Sequence, residues 1–306
     1  MSIDAWFDLF LAIVGGAVRV GTPFLFVSLG ECLTEKSGRI NLGLEGVLVF
    51  SAMAGFGGAL FSGSPWIGVL LAGLCGALLA LLHGLLCSLP RVSDIATGIA
   101  LMLLGSGLAF YLGKPLIQPQ AAQIPSLPLG AWSSSPSVQQ ALAINALFPL
   151  GVLLTGLLAL GLRNTRWGLV LRMAGDSSDA ARALGYSVRG VRIAATTVGG
   201  FVAGLGGASL SLYYPGVWSE GLSSGQGLIA VALVVFARWD PMRCLYAALL
   251  FGGASALGPA LQSVGITGGY YLFNATPYVL TLILMVATCS PQRTLSGIPG
   301  ELSITK

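Results

Sequence analysis

Trp66-Ile67-Gly68-Val69-Leu70-Leu71-Ala72-Gly73-Leu74-Cys75-Gly76-Ala77-Leu78-Leu79-Ala80-Leu81-Leu82-His83-Gly84-Leu85-Leu86-Cys87-Ser88-Leu89 contains no Asp, Glu, Lys or Arg. A helix rises 1.5 Å per residue, so ~20 apolar residues cross the ~30 Å hydrocarbon layer of a bilayer. This stretch is long enough, and only His83 and, near its end, Ser88 interrupt the apolar character. A membrane-spanning helix is the direct reading.

Eight further apolar stretches lie around it: Leu9–Gly30, Leu42–Phe61, Ile95–Gly113, Ile144–Leu162, Ile193–Tyr213, Leu228–Ala237, Leu245–Gln262 and Pro277–Cys289. Leu228–Ala237 and Pro277–Cys289 fall below the usual length, so each must extend into its flanks, tilt steeply or form a re-entrant half-helix. The expected architecture is all-α, a polytopic transmembrane bundle of about 8–10 spans. Composition agrees: 55% of the 306 residues are hydrophobic and 8% charged, with a mean hydropathy of +0.86. A soluble domain carries about 25% charged residues, so the bilayer must replace the missing polar surface. The net charge of +4 is small and its residues clustered, which fits topology-setting loops and indicates no nucleic-acid partner.

Cys32, Cys75, Cys87, Cys244 and Cys289 show no CxxC or metal-ligand spacing and read as small apolar fillers. The start Met1-Ser2-Ile3-Asp4 lacks a basic n-region, so insertion through the first span without cleavage is expected. Arg163, Arg166, Arg172, Arg182, Arg189 and Arg192 form the densest basic segment, and the positive-inside rule puts it in the cytoplasm. Lys36 with Arg39, Arg91, Arg238 with Arg243, and Arg293 with Lys306 then fall on the same side, while Lys114–Gln140, the Gly/Ser segment near Glu220 and the segment near Tyr270 fall outside. The N-terminus is thereby outside and the C-terminus inside. Arg19 lies within the first span, and a first helix lying in the interface with its Arg snorkelling would instead reverse that terminus.

Four segments stand out from this background. Glu31–Gly46 holds three carboxylates, two cations and an Asn between apolar spans. An ionised group at the bilayer centre costs about 2.5–3.5 kcal/mol on insertion scales. Glu35, Lys36 and Arg39 fit either an ordinary loop or a broken helix lining a solute path. Asn41 and Glu45, directly followed by apolar sequence, fit intramembrane packing or path-lining. The second segment, Gly175–Gly185, reads as a short extramembrane helix: Asp176 or Ser178 as N-cap, Asp179 in the first turn, Gly185 as a left-handed cap, and Ala180, Ala181 and Leu184 on one face. So short a helix needs a surface to dock on, either a separate soluble subunit or the membrane domain itself. The third, Arg238-Trp239-Asp240-Pro241, is a turn in which Pro241 starts the next helix. The fourth is aromatic: Tyr213, Tyr214, Trp218, Tyr270, Tyr271 and Phe273, an interfacial belt or a stacking surface for a planar solute.

Small residues recur at Gly200, Gly204 and Ala208, the spacing that lets helices approach closely. Ser37–Met53 and Gly225–Val235 echo each other, a Gly-rich polar start leading into an apolar helix; duplication and chance both explain it. No G-x-x-x-x-G-K-[ST] phosphate loop or HExxH motif occurs, and no paired-carboxylate arrangement supports a membrane enzyme. His83 alone is more often a packed polar residue than a ligand. No catalytic or metal site is therefore assigned.

Taken in order, these segments resemble the permease subunits of bacterial ABC importers of the branched-chain amino acid, ribose and nucleoside group, particularly the nucleoside (simple-sugar-type) branch served by basic-membrane-lipoprotein binding components. The pattern Gly-Glu-x-x-x-Glu-Lys/Arg-Ser-Gly-x-x-Asn-Ile/Leu-Gly-Leu-Glu-Gly is matched by Gly30 through Gly46. Gly168 through Gly185 resembles the family's cytoplasmic stretch, with Asp176 for Glu and Ser177 for Asn. Ala237 through Pro241 resembles its Gly-Arg-Trp-Asn-Pro turn, and Pro277, Tyr278 and Thr281 its final Pro-Tyr-x-x-Thr span. The resemblance implies a single permease domain over residues 1–306 in the inner membrane, with a cytoplasmic coupling loop at about 163–192. Arg172, Gly175, Asp176, Asp179, Ala180, Ala181, Leu184 and Gly185 are then the ATPase-coupling residues, and Glu31, Asn41, Glu45 and Gln226 line the translocation path. It also implies a cytoplasmic ABC ATPase pair carrying the ATP and Mg, a second related permease making a heterodimer, and an extracytoplasmic solute-binding protein. Nucleosides and purines are the favoured solutes, ahead of sugars, flavins and amino acids. The rival reading, a secondary transporter driven by an ion gradient, would need charges for coupling, and only Glu31, Glu45, Asp94 and His83 are candidates. A membrane-bound enzyme has little support.

Overall fold

The computed structural model describes residues 3–265, 270–288 and 298–304. Helices α1 (Ile3–Lys36), α2 (Leu44–Ser62), α3 (Pro65–Leu86) and α4 (Asp94–Gly113) come first, followed by a 3-10 turn at Lys114–Leu116. The connection that follows holds strand β1 (Ser126–Pro128), helix α5 (Pro136–Ala141) and strand β2 (Ala143–Asn145), antiparallel with Ser126 opposite Asn145. Then come α6 (Leu147–Asn164), α7 (Arg166–Asp176), α8 (Ser178–Ala183), α9 (Val188–Leu212), α10 (Gln226–Phe236), α11 (Pro241–Ser263), α12 (Tyr270–Asn274), α13 (Thr276–Thr288) and α14 (Gly300–Ile304).

Each of the nine apolar stretches contains a helix, although Ile144 and Asn145 belong to strand β2 and α6 starts at Leu147, and the helix lengths divide them. Among the described residues seven helices are long and apolar enough to cross a membrane: α1, α2, α3, α4, α6, α9 and α11. α10 and α13, of 11 and 13 residues, are too short to do so alone. Local chemistry sets the boundaries. Gly63 at φ 69 closes α2, and Pro65 opens α3 two residues later. Thr165 ends α6 and caps α7, its Oγ1 accepting from the Gly168 N–H at 3.1 Å. Asp240 caps α11 by accepting from the Met242 and Arg243 N–H groups at 2.9 and 3.2 Å, with Pro241 in the first turn as expected.

The core is built on α9, which packs against α1, α2 and α3, with α11 on the far side of α1. Phe24, Phe26 and Leu29 of α1, Leu48 and Phe56 of α2, and Phe251 of α11 are fully buried. The small residues of α9 make the close crossings: Gly204 faces the Ala72 and Gly73 backbone, and Gly207 the backbone of Leu48 and Ala52. α4 and α6 instead turn leucines outward, Leu103 65% and Leu153 60% exposed. Apolar surface of that extent requires lipid or another subunit over it.

Loops placed on one side by the basic rule do touch each other. Arg39 pairs with Asp94, Arg163 with Asp240 at 3.0 Å, and Arg192 donates to the Ser37 carbonyl at 3.0 Å. We call this the basic end. At the opposite end the Gln123 side chain donates to the Gly216 carbonyl at 2.7 Å, and Arg19 donates to that of Gln140. Arg19 thus has a partner without α1 leaving the bundle: seventeen residues, ~25 Å of helix, separate it from Lys36. Arg293, Lys306 and Cys289 lie outside the described residues, as do the side chains of Tyr270 and Tyr271.

Candidate coupling segment and intramembrane polar network

α10 begins inside the bundle, and the sequence around it explains how. Its 11 residues rise ~16 Å, about half the hydrocarbon thickness. A helix starting there leaves N–H groups that water cannot reach. Glu45, in the first turn of α2, supplies the acceptor. Its carboxylate accepts from the Gly225 N–H at 3.1 Å, the Gly227 N–H at 2.7 Å and the Ser223 hydroxyl. The negative charge also sits at the positive end of the α10 dipole. Gly227 is required by proximity, since a β-carbon there would lie 2.6 Å from the Glu45 backbone nitrogen. The two echoing segments therefore meet at their helix starts. Gln226, between the two glycines, has a buried Oε1 with no hydrogen-bond partner.

Below this junction α1 runs to Lys36 rather than ending near Gly30, because its polar side chains find partners inside. Glu31 and Glu35, one turn apart, are 0% and 3% exposed. Glu31 accepts from the Asn41 backbone N–H at 2.8 Å, and the Asn41 side chain accepts from the Gly43 N–H at 2.9 Å, turning the chain into α2. Glu35 accepts from the Trp239 indole N–H. Trp239 is buried, at φ 56. His83 joins the same region through Nε2, 3.2 Å from the Ile40 carbonyl oxygen.

The structure thus brings Asn41 to Glu31 and Glu45 to the start of α10, in hydrogen-bonded packing. The cavity at the end opposite the basic one, about 350 Å3 beside Arg19, Gln140 and Tyr214, is lined by other residues. No local sequence pattern announces that cavity, because α1, α5 and α11 make it jointly. Trp218 is not a belt residue: it is 1% exposed, packed on Gly113. Tyr213 donates from its hydroxyl to the Ala143 carbonyl at 3.0 Å. Tyr278 of α13 donates to the Ser224 carbonyl at 3.0 Å, tying that short helix to the segment before α10.

At the basic end α8 is six residues long and is capped by Ser177, whose hydroxyl accepts from the Ala180 N–H at 3.3 Å, rather than by Asp176 or Ser178. Asp176 instead ends α7. Gly185, at φ 83, closes α8: its N–H and that of Tyr186 return to the Arg182 and Ala181 carbonyls at 2.9 and 3.1 Å. The expected common face of Ala180, Ala181 and Leu184 is divided. Ala181 is buried against Ala174 and Val188, whereas Ala180 is exposed and Leu184 is 65% exposed. Asp179 pairs with Arg182 at 3.0 Å on the outer surface. Arg172 returns to the Gly168 carbonyl at 3.4 Å. Gly175 is buried where a β-carbon would meet the Lys36 carbonyl and lie 3.2 Å from the Gly38 nitrogen, so α7 rests on the end of α1.

Arg192 and Glu301 fasten this assembly. Arg192 donates to the Ala174 and Ser37 carbonyls, each at 3.0 Å, and pairs with Glu301 at 3.2 Å; Glu301 also accepts from the Ser178 N–H at 2.8 Å. Partial burial works to raise the Glu301 carboxyl, but the Ser178 hydrogen bonds and Arg192 outweigh it and hold it below the ordinary carboxylate value. Nothing in the sequence pointed to Glu301, which lies 123 positions from Ser178.

Seven apolar helices, a half-helix whose start is capped inside the bundle, and a short extramembrane helix held against the ends of the spans define a multi-pass membrane transport protein. The chain belongs to the branched-chain amino acid transport system / permease component family, whose profile matches residues 13–289. It is a permease component of an ABC transporter in the inner membrane, a class that transports and relies on an ATPase and a binding protein. It is 33% identical over 259 residues to a putative glucose ABC transporter permease protein of Haloferax volcanii, covering 83% of this chain and 79% of that one. It is 30% identical over 290 residues to a nucleoside ABC transporter permease protein of Lactococcus lactis subsp. cremoris, and 30% over 291 residues to a guanosine ABC transporter permease protein of Bacillus subtilis, covering 89% of this chain and 90% of the relative in both cases.

Proposed function

We propose that this chain is one of two related permease subunits of an ATP-driven importer for a nucleoside or purine-type compound. The observation that carries the solute class is the 89% coverage shared with relatives named for nucleoside and guanosine transport. The relative named for glucose is more identical over a shorter alignment, which keeps a sugar as the second reading. In this proposal residues 1–306 form one permease domain. ATP and Mg are bound and hydrolysed on a separate cytoplasmic ATPase pair, a second related permease completes a heterodimer, and an extracytoplasmic protein delivers the solute. Glu31, Asn41, Glu45 and Gln226 border the route at the two helix starts. Selection then resides mainly in the delivering protein, because a permease must hold its solute weakly enough to release it.

Motion would travel by contact. The ATPase docks on the exposed side of α8 and 163–192 is the coupling loop. α8 is packed on α7 through Ala181 and Ala174, α7 bears on the end of α1 through Gly175, and α1 reaches the turn that follows α10 through Glu35 and Trp239. Leu184→Glu tests the docking step, since that side chain is mostly solvent-facing in the isolated chain. Co-purification with the ATPase is expected to weaken at least about tenfold, roughly 1.4 kcal/mol, with the yield of inserted permease unchanged. ATPase recovery equal to the parent would overturn the docking assignment. Ala181→Arg is the wrong probe, because it would break the α7–α8 packing first.

The solute is tested on the co-encoded binding protein, screened by thermal shift against nucleosides, purine bases, flavins and sugars. A nucleoside at 100 times its Kd should stabilise that protein by about 2.7 kcal/mol. Stabilisation by a sugar with no response to nucleosides or bases would overturn the nucleoside assignment and leave the permease assignment standing.

A further inference from the structure

The basic end contains a second cavity, of about 330 Å3, whose lining includes Arg39, Arg182, Arg189 and Arg192 together with Ser88 and Tyr186. It lies where several spans end: Arg39 follows α1, Ser88 follows α3, and Arg189 and Arg192 belong to the first turns of α9. Acids satisfy three of the arginines on one side each. Asp94 pairs with Arg39, Asp179 with Arg182 at 3.0 Å, and Glu301 with Arg192 at 3.2 Å. Arg189 has no acidic partner among the described residues, and the Nε of Arg39 is buried without a hydrogen-bond partner. The 25-residue helix α9 points its positive end at the same place. Capacity for an anion therefore remains after the internal pairs are counted.

Chemistry narrows the anion. Guanidinium groups present planar forks that match the oxygens of carboxylate or phosphate. One carboxylate offers two oxygens, whereas a phosphate offers three or more and so can be shared among several forks around a cavity. Basic pockets between spans on the cytoplasmic side also lie at the depth of lipid headgroups. We propose that this pocket is a phosphate-binding site, filled by the headgroup of an anionic phospholipid of the adjacent leaflet or by a soluble phosphate anion. Its occupant would bridge the coupling segment, through Arg182 and Arg189, to the end of α1, through Arg39. The assignment does not depend on which solute is transported.

The test uses the full chain in nanodiscs of phosphatidylcholine alone, of phosphatidylcholine doped with phosphatidylglycerol, and of phosphatidylcholine with inorganic phosphate replacing chloride at equal ionic strength. Thermal unfolding is followed in each for the parent and for an Arg182→Gln/Arg189→Gln double variant, both positions being exposed. A higher Tm with at least one phosphate source, reduced in the variant to the level of phosphatidylcholine alone, is the expected result. Response to phosphatidylglycerol only assigns the headgroup, response to inorganic phosphate only assigns the soluble anion, and response to both assigns the phosphate group itself. No shift from either source, or a shift of equal size in parent and variant, would overturn the proposal.

Discussion

Gly204→Leu is expected to leave little folded protein after extraction, while Gly107→Leu unfolds at the parent's temperature or above. Both are glycine-to-leucine changes in apolar helices, so composition treats them alike. The structure does not. A β-carbon at Gly204 would lie 3.0 Å from the Gly73 α-carbon and closer still to the Ala72 carbonyl oxygen, whereas nothing lies within 4 Å of the corresponding position at Gly107. Backbone cannot turn aside as a side chain can, so α3 and α9 would have to separate and forfeit the neighbouring crossing of Gly200 on Gly76. Overpacking against side chains costs about 1–3 kcal/mol, and a clash with backbone exceeds that range. Native stability is only about 5–15 kcal/mol. At Gly107, on the outer face of α4, leucine instead gains about 0.8–1 kcal/mol in helix propensity. Size-exclusion profiles and melting curves of the two variants in detergent would check this. Equal behaviour would mean that the small residues of α9 do not set its packing.

The second large effect is expected at Glu45. Glu45→Ala removes the acceptor for the Gly225 and Gly227 N–H groups and the Ser223 hydroxyl. At ~1 kcal/mol or more for each buried group left without a partner, the loss is about 3 kcal/mol. Glu45→Gln keeps one acceptor oxygen but turns a donor toward the other N–H, so about half that loss is expected. Amide exchange at Gly225 and Gly227 should accelerate in both variants while that of α3 stays slow. Unchanged exchange at Gly225 and Gly227 in the alanine variant would show that α10 does not depend on this cap.

The positions of the helices were legible in the sequence because hydrophobic length follows directly from bilayer thickness. Their terminations were less so. The first apolar stretch ended at Gly30, and Glu35 and Lys36 fitted either a loop or a broken helix, yet α1 continues through Lys36 because Trp239 and the Asn41 N–H, distant in sequence, satisfy the Glu35 and Glu31 carboxylates. Periodicity along one segment carries no information about such partners. The short length of Leu228–Ala237 was visible, and so was its echo of the segment containing Glu45, but their meeting at a shared cap requires the packing of α2 against α10. For the coupling segment, the residue types predicted a capped helix with a left-handed glycine, and the helix is there. Which face of it is free was not predictable, since Ala181 is hidden by Ala174 and Val188. Glu301 and the arginine-lined cavity depend on chain ends meeting at the basic end, which no local motif announces.

ATP-coupled uptake tests the central assignment most directly. Proteoliposomes would contain this permease with its partner permease and the ATPase pair, with the binding protein and a radiolabelled nucleoside outside and ATP with Mg enclosed. Accumulation is expected to require enclosed ATP, to stop when the ATPase is catalytically inactivated, and to persist when ion gradients are collapsed. Uptake by the permease without any ATPase subunit, abolished by collapsing an ion gradient and indifferent to ATP, would contradict the account.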